Sequence, residues 1–297
     1  MVRSQKSQKN KNIESLYPLS PMQEGLLFHT LYDNNSSVYF EHIVLTISGQ
    51  VNQETLKKSW QQVVQRHGVL RTMFVWEGRK QPLQVVRKQV DLPWSYLDWQ
   101  ELSSTEQQQK LETFLREDRE KGFQLNKAPL MRCILIRLGD QTYKLIWSIH
   151  HILIDGWCFP IIVKEVLSYY ESFNQGNRCN LPPVRPYQDY ILWLQQQNKA
   201  EAEEFWRRSL QGFTVPTPIV EERTQQEGIQ HSSSHQAEQL TLGVKTTKAL
   251  QSLVRQHRLT IATLVNAAWA LLLSRYSGES EVLFGVTVSG RPANLLG

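Results

Sequence analysis

The stretch IHHILIDGWC at residues 149–158 joins a predicted strand to a predicted helix. The strand covers residues 142–149 (TYKLIWSI), where aromatic and β-branched residues are concentrated. Pro160 favours a helix start, because proline is tolerated in the first turn of a helix. Apolar residues then recur at helical spacing as far as Phe173. Catalytic groups are common where one element ends and the next begins, so this junction is the first candidate site.

Two adjacent histidines, His150 and His151, end the predicted strand. Neighbouring strand residues point to opposite faces of a sheet, so the two rings cannot enter one cavity. We expect one histidine to be available for chemistry and the other to be built into the protein. Asp155, beside Gly156, is placed to hold the turn rather than to react. A core histidine followed by a helix-capping aspartate is the plainer interpretation of the same residues.

Two other chemistries use the same residue types. Histidine and aspartate occur together in zinc and iron sites, but opposed strand faces argue against two histidines on one ion. No third ligand follows at a suitable spacing, so we expect no metal. Cys158 lies close enough to the histidines to suggest a Cys-His nucleophile. With Cys133 and Cys179, it makes three cysteines in all, too few and too irregular for a disulfide framework, which favours the cytoplasm.

The composition is typical of a globular protein, with 40% hydrophobic and 21% charged residues. A chain of 297 residues can hold two domains, each with its own core. The net charge of +5 falls to +1 without the four basic residues of the first eleven, so nucleic acid is not an expected partner. No secretory signal is visible, and the apolar stretch 261–273 is too short for a membrane span. We therefore expect no membrane partner.

Four segments together resemble the motifs of the condensation domains of nonribosomal peptide synthetases. They are HHILIDG at 150–156 (HHxxxDG), LSPMQEGLLFH at 19–29, RHGVLRTMF at 66–74 (RHExLRTxF) and YQDYILW at 187–193 (YxDFAxW). Gly68 stands where this family usually has glutamate. Because the four segments follow the family's order and spacing, the chain is identified as a member from about Ile13 to its last residue.

The resemblance implies an α/β fold, an α+β sandwich of two chloramphenicol-acetyltransferase-like lobes with a tunnel between them. We predict a flexible leader or docking segment at 1–15, a complete first lobe at 16–176, a linker at 177–186 and a partial second lobe at 187–297. The later family motifs are missing from the second lobe. Sheets without their partners expose edges, so this stretch alone is expected to be inactive and prone to aggregate.

Hydrophobic periodicity and capping residues predict the individual elements of both lobes. In the first lobe they indicate strands at 38–48, 69–76, 84–88 and 130–138, a hairpin turn at Gly139-Asp140, and helices capped by Asn52 and by the pair Ser103 and Glu106. In the second lobe they indicate helices at 187–210, 245–257 and 260–276 and strands at 235–243 and 282–288.

The reaction implied by the resemblance is amide formation. The amine of a downstream carrier-bound aminoacyl thioester attacks an upstream carrier-bound acyl or peptidyl thioester. The implied partners are the upstream and downstream peptidyl carrier domains and an adjacent adenylation domain. Both substrates arrive on phosphopantetheine arms of the carriers, so the domain needs no cofactor of its own. Residues 12–19 resemble a short segment that docks an upstream synthetase.

Family motifs also imply roles for single residues. His151 matches the second histidine of the signature and is the implied reactive group, as a base or as a group that positions the amine. Gly156 is implied to let its backbone approach the reacting carbonyl and to offer an N–H to the oxyanion. His150 is implied to be structural, and Asp155 to pair with an arginine, for which Arg71 is the candidate.

Three further side chains are candidates for the substrate side of the tunnel: Trp157, Cys158 and Met22. The family usually has serine or another small residue at the position of Cys158, which weakens the nucleophile hypothesis. Alternatives remain open: an epimerisation domain, which shares the double histidine, an inactive carrier-docking scaffold, and a small-molecule acyltransferase that uses CoA. The product separates an epimerisation domain from a condensation domain. The intact set of His151, Asp155 and Gly156 argues against the scaffold, and activity with free acyl-CoA would identify the last.

Overall fold

The computed structural model describes residues 12–32, 38–214, 216–218, 239–292 and 295. These residues divide into two compact units. The first contains the described residues up to Gln197 together with Arg291, Pro292 and Leu295, and the second covers Asn198–Gly290.

Two sheets form the framework of the first unit. The smaller sheet is antiparallel with the order β1-β4-β3: β1 (Ile13–Pro18), β3 (Thr72–Val75) and β4 (Leu83–Arg87). The larger has the order β2-β7-β6-β5: β2 (Phe40–Ser48), β5 (Trp94–Asp98), β6 (Met131–Gly139) and β7 (Thr142–His150). Only β5 and β6 among these pairs run parallel. The first unit is thus a mixed α/β structure, as the sequence predicts.

The described residues of the first unit form five α-helices, and side chains cap the starts of two that the sequence predicts. The five are α1 (Pro21–Tyr32), α2 (Gln53–Arg66), α3 (Ser104–Lys121), α4 (Cys158–Asn174) and α5 (Tyr187–Gln195), with a 3₁₀ helix at Gly68–Arg71. Asn52 Oδ1 accepts the N–H of Thr55 at 3.0 Å, which satisfies an otherwise unpaired donor of α2. The capping box of Ser103 and Glu106 forms at α3, so both predicted helix starts are confirmed.

Strand β7 is the centre of this unit. It pairs with β2 on one edge and with β6 on the other. From Leu145 to its end it is buried on both faces, because alternate side chains pack in different hydrophobic clusters. Trp147 packs against Trp60 of α2 and Phe159 of α4, with ring centroids 5.0 and 5.6 Å apart. Ile146 packs in the cluster that contains Leu111 of α3. The end of β7 is therefore held in place on both faces.

The second unit contains α6 (Lys199–Ser209), α7 (Val244–Gln256) and α8 (Ile261–Ser277). The single helix predicted at 187–210 is broken, because Asn198 Oδ1 accepts the N–H of Glu201 at 3.2 Å and starts a new helix. The units therefore divide after Gln197, later than the linker predicted at 177–186. Helix α5 belongs to the first unit, where Ile191 packs with Tyr17 and Val86.

Several other predicted boundaries also differ. Residues 13–15 of the predicted leader belong to β1, and the strand predicted at 69–76 begins only after the 3₁₀ helix. Residues 235–238 lie outside the described residues. The segments 239–243 and 282–288 form no strand, because a strand requires a hydrogen-bonded neighbour and the described part of the second unit offers none.

Apolar side chains of the second unit remain largely exposed. Val254 and Leu273 are buried, whereas Val244, Leu271 and Tyr276 are between 66% and 73% exposed. None of the described helices is by itself long and apolar enough to cross a membrane. Helices α7 and α8 reach the required length and apolarity only together, and the angle between them is 101°.

Candidate active site at the end of strand β7

Strand pairing continues one residue beyond the end of β7. The N–H of His150 donates to Leu130 O at 3.1 Å, and the N–H of His151 donates to Tyr39 O at 2.8 Å. The chain then turns, with the N–H of Leu153 donating to His150 O at 3.1 Å. The backbones of His150 and His151 are therefore held by hydrogen bonds at the end of the larger sheet.

His150 lies in the protein interior, with 4% of its surface exposed. Its Nδ1 accepts the N–H of Ile152 at 3.1 Å, so the neutral ring carries its proton on Nε2. Burial, with the neighbouring His151, lowers the pKa of His150 to about 4. An uncharged, internally bonded ring supports the structural role expected for this histidine.

His151 is only partly buried, and its ring has a defined orientation. Nδ1 lies 2.5 Å from the carbonyl oxygen of Ile154. A carbonyl can only accept, so Nδ1 carries the hydrogen and Nε2 of the neutral ring carries the lone pair. His151 is thereby arranged to accept a proton or a hydrogen bond at Nε2.

Gly156 follows on an exposed turn. A Cβ atom built on this glycine would meet no heavy atom within 4 Å, and its φ lies outside the positive range. Neither the backbone conformation nor close packing of the described residues therefore requires glycine here. Because Gly156 has no side chain, the space beside its backbone is open, and another molecule can approach the backbone there.

Asp155 forms a bidentate ion pair with Arg291. The Oδ2–Nη1 and Oδ1–Nη2 distances are 2.9 and 3.0 Å. Asp155 Oδ1 also accepts the backbone N–H of Cys158 at 3.2 Å, at the start of α4. Burial opposes ionisation of the carboxyl, but the bonds from Arg291 and Cys158 outweigh it and lower the pKa of Asp155.

Arg71 is not the partner of Asp155, contrary to the sequence prediction. Its Nη1 lies 2.7 Å from Glu14 Oε2 and also donates to Arg87 O, so it joins the 3₁₀ helix to β1 and β4. The motif indicates that an arginine is needed but carries no information about which carboxylate it meets. Arg291 was missed because it lies 136 residues from Asp155 in the sequence.

The tunnel candidates occupy different environments. Trp157 is 49% exposed and has the guanidinium of Arg291 5.9 Å from its ring centroid. Met22 is 73% exposed on α1. Cys158 Sγ donates to Asp155 Oδ1 at 3.1 Å, and burial raises the pKa of the thiol to about 11. A protonated thiol is a poor nucleophile, so this environment disfavours the Cys-His hypothesis.

Gln23, next to Met22, is a site residue that the sequence reasoning missed. Its side chain is 4% exposed, and Nε2 donates to the carbonyl of Ile152 at 3.2 Å. Ser20 and Gln23 also form a capping box at the start of α1. The Ser-x-x-Gln spacing signals such a box, but it does not reveal the contact with Ile152.

No cluster of three or more histidine, cysteine, aspartate or glutamate side chains suited to a metal ion occurs within the described residues. The geometry defines a class of protein by its chemistry: an α/β fold that presents one oriented imidazole beside an open glycine turn. The family model for the condensation domain matches residues 13–296, and the chain belongs to this family. The predicted membership is confirmed.

Peptide synthetases are among the similar sequences. One of the linear gramicidin synthase proteins of Brevibacillus parabrevis is 44% identical over 286 residues, covering 96% of this chain and 6% of that protein. Bacitracin synthase 1 of Bacillus licheniformis is 36% identical over 281 residues, covering 95% of this chain and 5% of that protein. The chain thus spans a small part of the relatives it matches.

Solved structures support the same fold. The first condensation domain of the calcium-dependent antibiotic synthetase has a TM-score of 0.72 at 16% identity, covering 91% of this chain and 63% of that chain. The X-domain from teicoplanin biosynthesis, solved with OxyB, has a TM-score of 0.73 at 22% identity, covering 89% and 58%. The predicted fold class is confirmed, and the chain covers 63% and 58% of these two structures.

Proposed function

We propose that this chain forms amide bonds between two carrier-bound thioesters, as the condensation domain of a nonribosomal peptide synthetase. The observation that carries the proposal is the orientation of His151. Its Nδ1 is occupied by Ile154 O, so Nε2 is the acceptor, and the turn continues to the open backbone of Gly156. Membership of the condensation family and similarity to peptide synthetases support the same conclusion.

The amine nitrogen attacks the carbonyl carbon of the upstream thioester. A carbon–nitrogen bond forms, the carbon–sulfur bond breaks, and the sulfur departs on its carrier arm. An α-amine with a pKa of about 8 is already about one tenth neutral at pH 7, so freeing it costs only about 1.4 kcal/mol. Proton removal before the attack is therefore a small part of the barrier.

The larger need arises when the nitrogen bonds to carbon and becomes acidic. In this proposal His151 Nε2 accepts that proton or holds the amine by a hydrogen bond, and the proton finally reaches the departing sulfur or water. The N–H of Gly156 stabilises the negative oxygen of the tetrahedral intermediate. Asp155, held by Arg291, keeps Gly156 and the start of α4 in place.

The proposed partners are the peptidyl carrier domains on both sides and an adjacent adenylation domain, in the cytoplasm. Tethering of both substrates on phosphopantetheine arms makes the encounter effectively intramolecular, which supplies several kcal/mol. Docking of an upstream synthetase through the N-terminal segment at 1–15 is also part of this proposal. Residues 13–18 form β1, and Tyr17 within it is 6% exposed.

This stretch of 297 residues on its own is proposed to be inactive. Large apolar side chains of α7 and α8 are exposed, among them Leu271 at 66% and Tyr276 at 73%, and such surface favours association. The measurement is thermal unfolding together with turnover of both loaded carriers. A cooperative transition accompanied by amide formation would refute this proposal.

Replacement of His151 by alanine in the complete condensation domain tests the function. With both carriers loaded, amide formation is expected to fall by about 10²- to 10⁴-fold. His257→Ala is the matched control, because His257 is an exposed histidine on the second unit. An unchanged rate in His151→Ala refutes the role of His151, and a product of altered configuration without an amide favours epimerisation.

A further inference from the structure

Helix α1 contacts the turn after His151 through a side chain that has no role in the proposed mechanism. Gln23 of α1 donates from Nε2 to the carbonyl of Ile152, the residue directly after His151, at 3.2 Å. Both partners are buried, with 4% and 2% of their surfaces exposed. A hydrogen bond between buried groups has no water to replace it, so its loss leaves the Ile152 carbonyl unsatisfied.

The orientation of the Gln23 amide is determined by its surroundings. Its Oε1 accepts the N–H of Ser20 at 3.0 Å and an Nε2 hydrogen of Gln84 at 3.0 Å. Gln84 is fully buried on β4 and also donates to Pro18 O at 2.9 Å. Because donors surround Oε1, the amide nitrogen of Gln23 must face the Ile152 carbonyl.

The turn after His151 thus has two supports. Gln23 holds the carbonyl of Ile152, and His151 Nδ1 is bonded to the carbonyl of Ile154. The three residues between His151 and Asp155 are buried, with 2% to 6% of their surfaces exposed. A shift of the first carbonyl would therefore move the second, which sets the orientation of the imidazole.

We infer that Gln23 is a positioning residue for His151. It fixes the turn that presents the Ile154 carbonyl to Nδ1, and so keeps Nε2 as the acceptor. The inference rests on the proposed function of His151. A purely structural role would affect only folding stability, whereas a positioning role also affects the tautomer of His151 and the rate of the chemical step.

Gln23→Met in the complete condensation domain separates these roles, because methionine has a similar length and no donor. Amide formation is expected to fall about tenfold to a hundredfold in kcat, with KM for both loaded carriers unchanged. Nitrogen-15 NMR of the neutral His151 ring is expected to show a mixture of tautomers in place of Nδ1–H alone. Ser103→Ala is the control, since it removes a cap of α3 and has no bond to the turn.

The inference is overturned if Gln23→Met keeps the wild-type tautomer, or loses no more kcat than Ser103→Ala at an equal loss of stability. Should Gln23→Met fail to fold, Gln23→Glu decides, because its carboxylate keeps acceptors for Ser20 and Gln84 but offers no donor to Ile152. A full rate of amide formation in His151→Ala refutes the proposed role of His151 instead. In that case the tautomer measurement still decides whether Gln23 orients the ring.

Discussion

Arg291 and Asp155 lie 136 residues apart in the sequence and meet in a bidentate ion pair with distances of 2.9 and 3.0 Å. The same carboxylate caps α4 through the N–H and Sγ of Cys158. A late segment of the chain therefore holds the turn that carries Gly156. Asp155 thus links Arg291 to the start of α4, on either side of Gly156. Loss of the ion pair is therefore expected to disturb the turn used in the proposed reaction.

Replacement of Arg291 by glutamine is expected to lower amide formation more than stability. The pair is more than one third exposed on both sides, so its contribution to the free energy of unfolding is at most about 1 kcal/mol. Without Arg291 the pKa of Asp155 rises towards its ordinary value, so the loss of rate should deepen as the pH falls. Rates of both proteins from pH 3 to 7 check this expectation, because a carboxyl with a pKa near 3.9 changes its charge mainly below about pH 5.

Arg207→Gln is the matched control, because it removes an exposed pair with Glu203 on α6. Its amide formation should follow the wild type at each pH. Equal losses of rate in the two variants would show that the Arg291 pair has no special link to the reaction.

Asp118 of α3 should determine acid stability. It is 6% exposed and accepts hydrogen bonds from His42, Arg132 and Ser148 at 2.9, 2.6 and 2.6 Å. Burial opposes ionisation, but these bonds outweigh it and lower the pKa of Asp118 to about 2. A carboxyl pKa that is lower in the folded state stabilises the fold above the unfolded value, near 3.9, and this contribution disappears as the pH falls towards 2.

The contribution of Asp118 at pH 7 is about 2 kcal/mol by this linkage. Asp118→Asn should therefore lower the free energy of unfolding at pH 7 and flatten its decline between pH 4 and 2. Urea unfolding of the complete condensation domain across this range is the measurement. A variant whose curve stays parallel to that of the wild type would contradict the assignment.

Glu14 of β1 supplies the carboxylate that Arg71 needs, and this contact suggests a compensating exchange. A Cβ at Gly68, where the family usually has glutamate, would lie 3.8 Å from Arg71 Nη2 and 3.3 Å from Val86 Cγ1. Glu14→Gln leaves a buried arginine without its ion pair and should lower the free energy of unfolding by about 1–3 kcal/mol. Adding Gly68→Glu should restore part of it.

Chemical denaturation of the two single variants and the double variant measures this coupling. Gly68→Glu alone should be neutral or destabilising, since Val86 must move and Arg71 already has a partner. Strictly additive losses in the double variant would show that residue 68 cannot replace Glu14.

Local patterns allowed prediction of the elements that depend on local physics. Strand β7 was visible as a stretch rich in aromatic and β-branched residues, and the caps at Asn52 and Ser103 follow from short-range hydrogen bonds. Contacts between distant segments were not visible: Arg291 with Asp155, and Gln23 with Ile152. A local sequence pattern cannot predict such pairs, because the two partners are far apart in the sequence and meet only in the folded chain.

The strand predicted at 282–288 fails for a related reason. Its apolar content fits a strand, but a strand exists only beside another strand. Arg291 lies shortly after this segment in the sequence, and nothing in the local pattern connects it with Asp155. Family motifs thus located His151, Asp155 and Gly156, whereas the arginine partner required the three-dimensional structure.

Cys158 provides a direct test of the last nucleophile hypothesis. Its thiol donates to Asp155 Oδ1 at 3.1 Å, and burial raises its pKa to about 11, so the thiolate is scarce at neutral pH. Cys158→Ser keeps a donor of similar size and should retain amide formation within about twofold, whereas Cys158→Ala loses the bond to Asp155 and should react more slowly. Single-turnover rates of both variants make the comparison. Abolition of activity by the serine substitution would instead point to a covalent thioester on Cys158 and would remove His151 from the role of principal catalytic group.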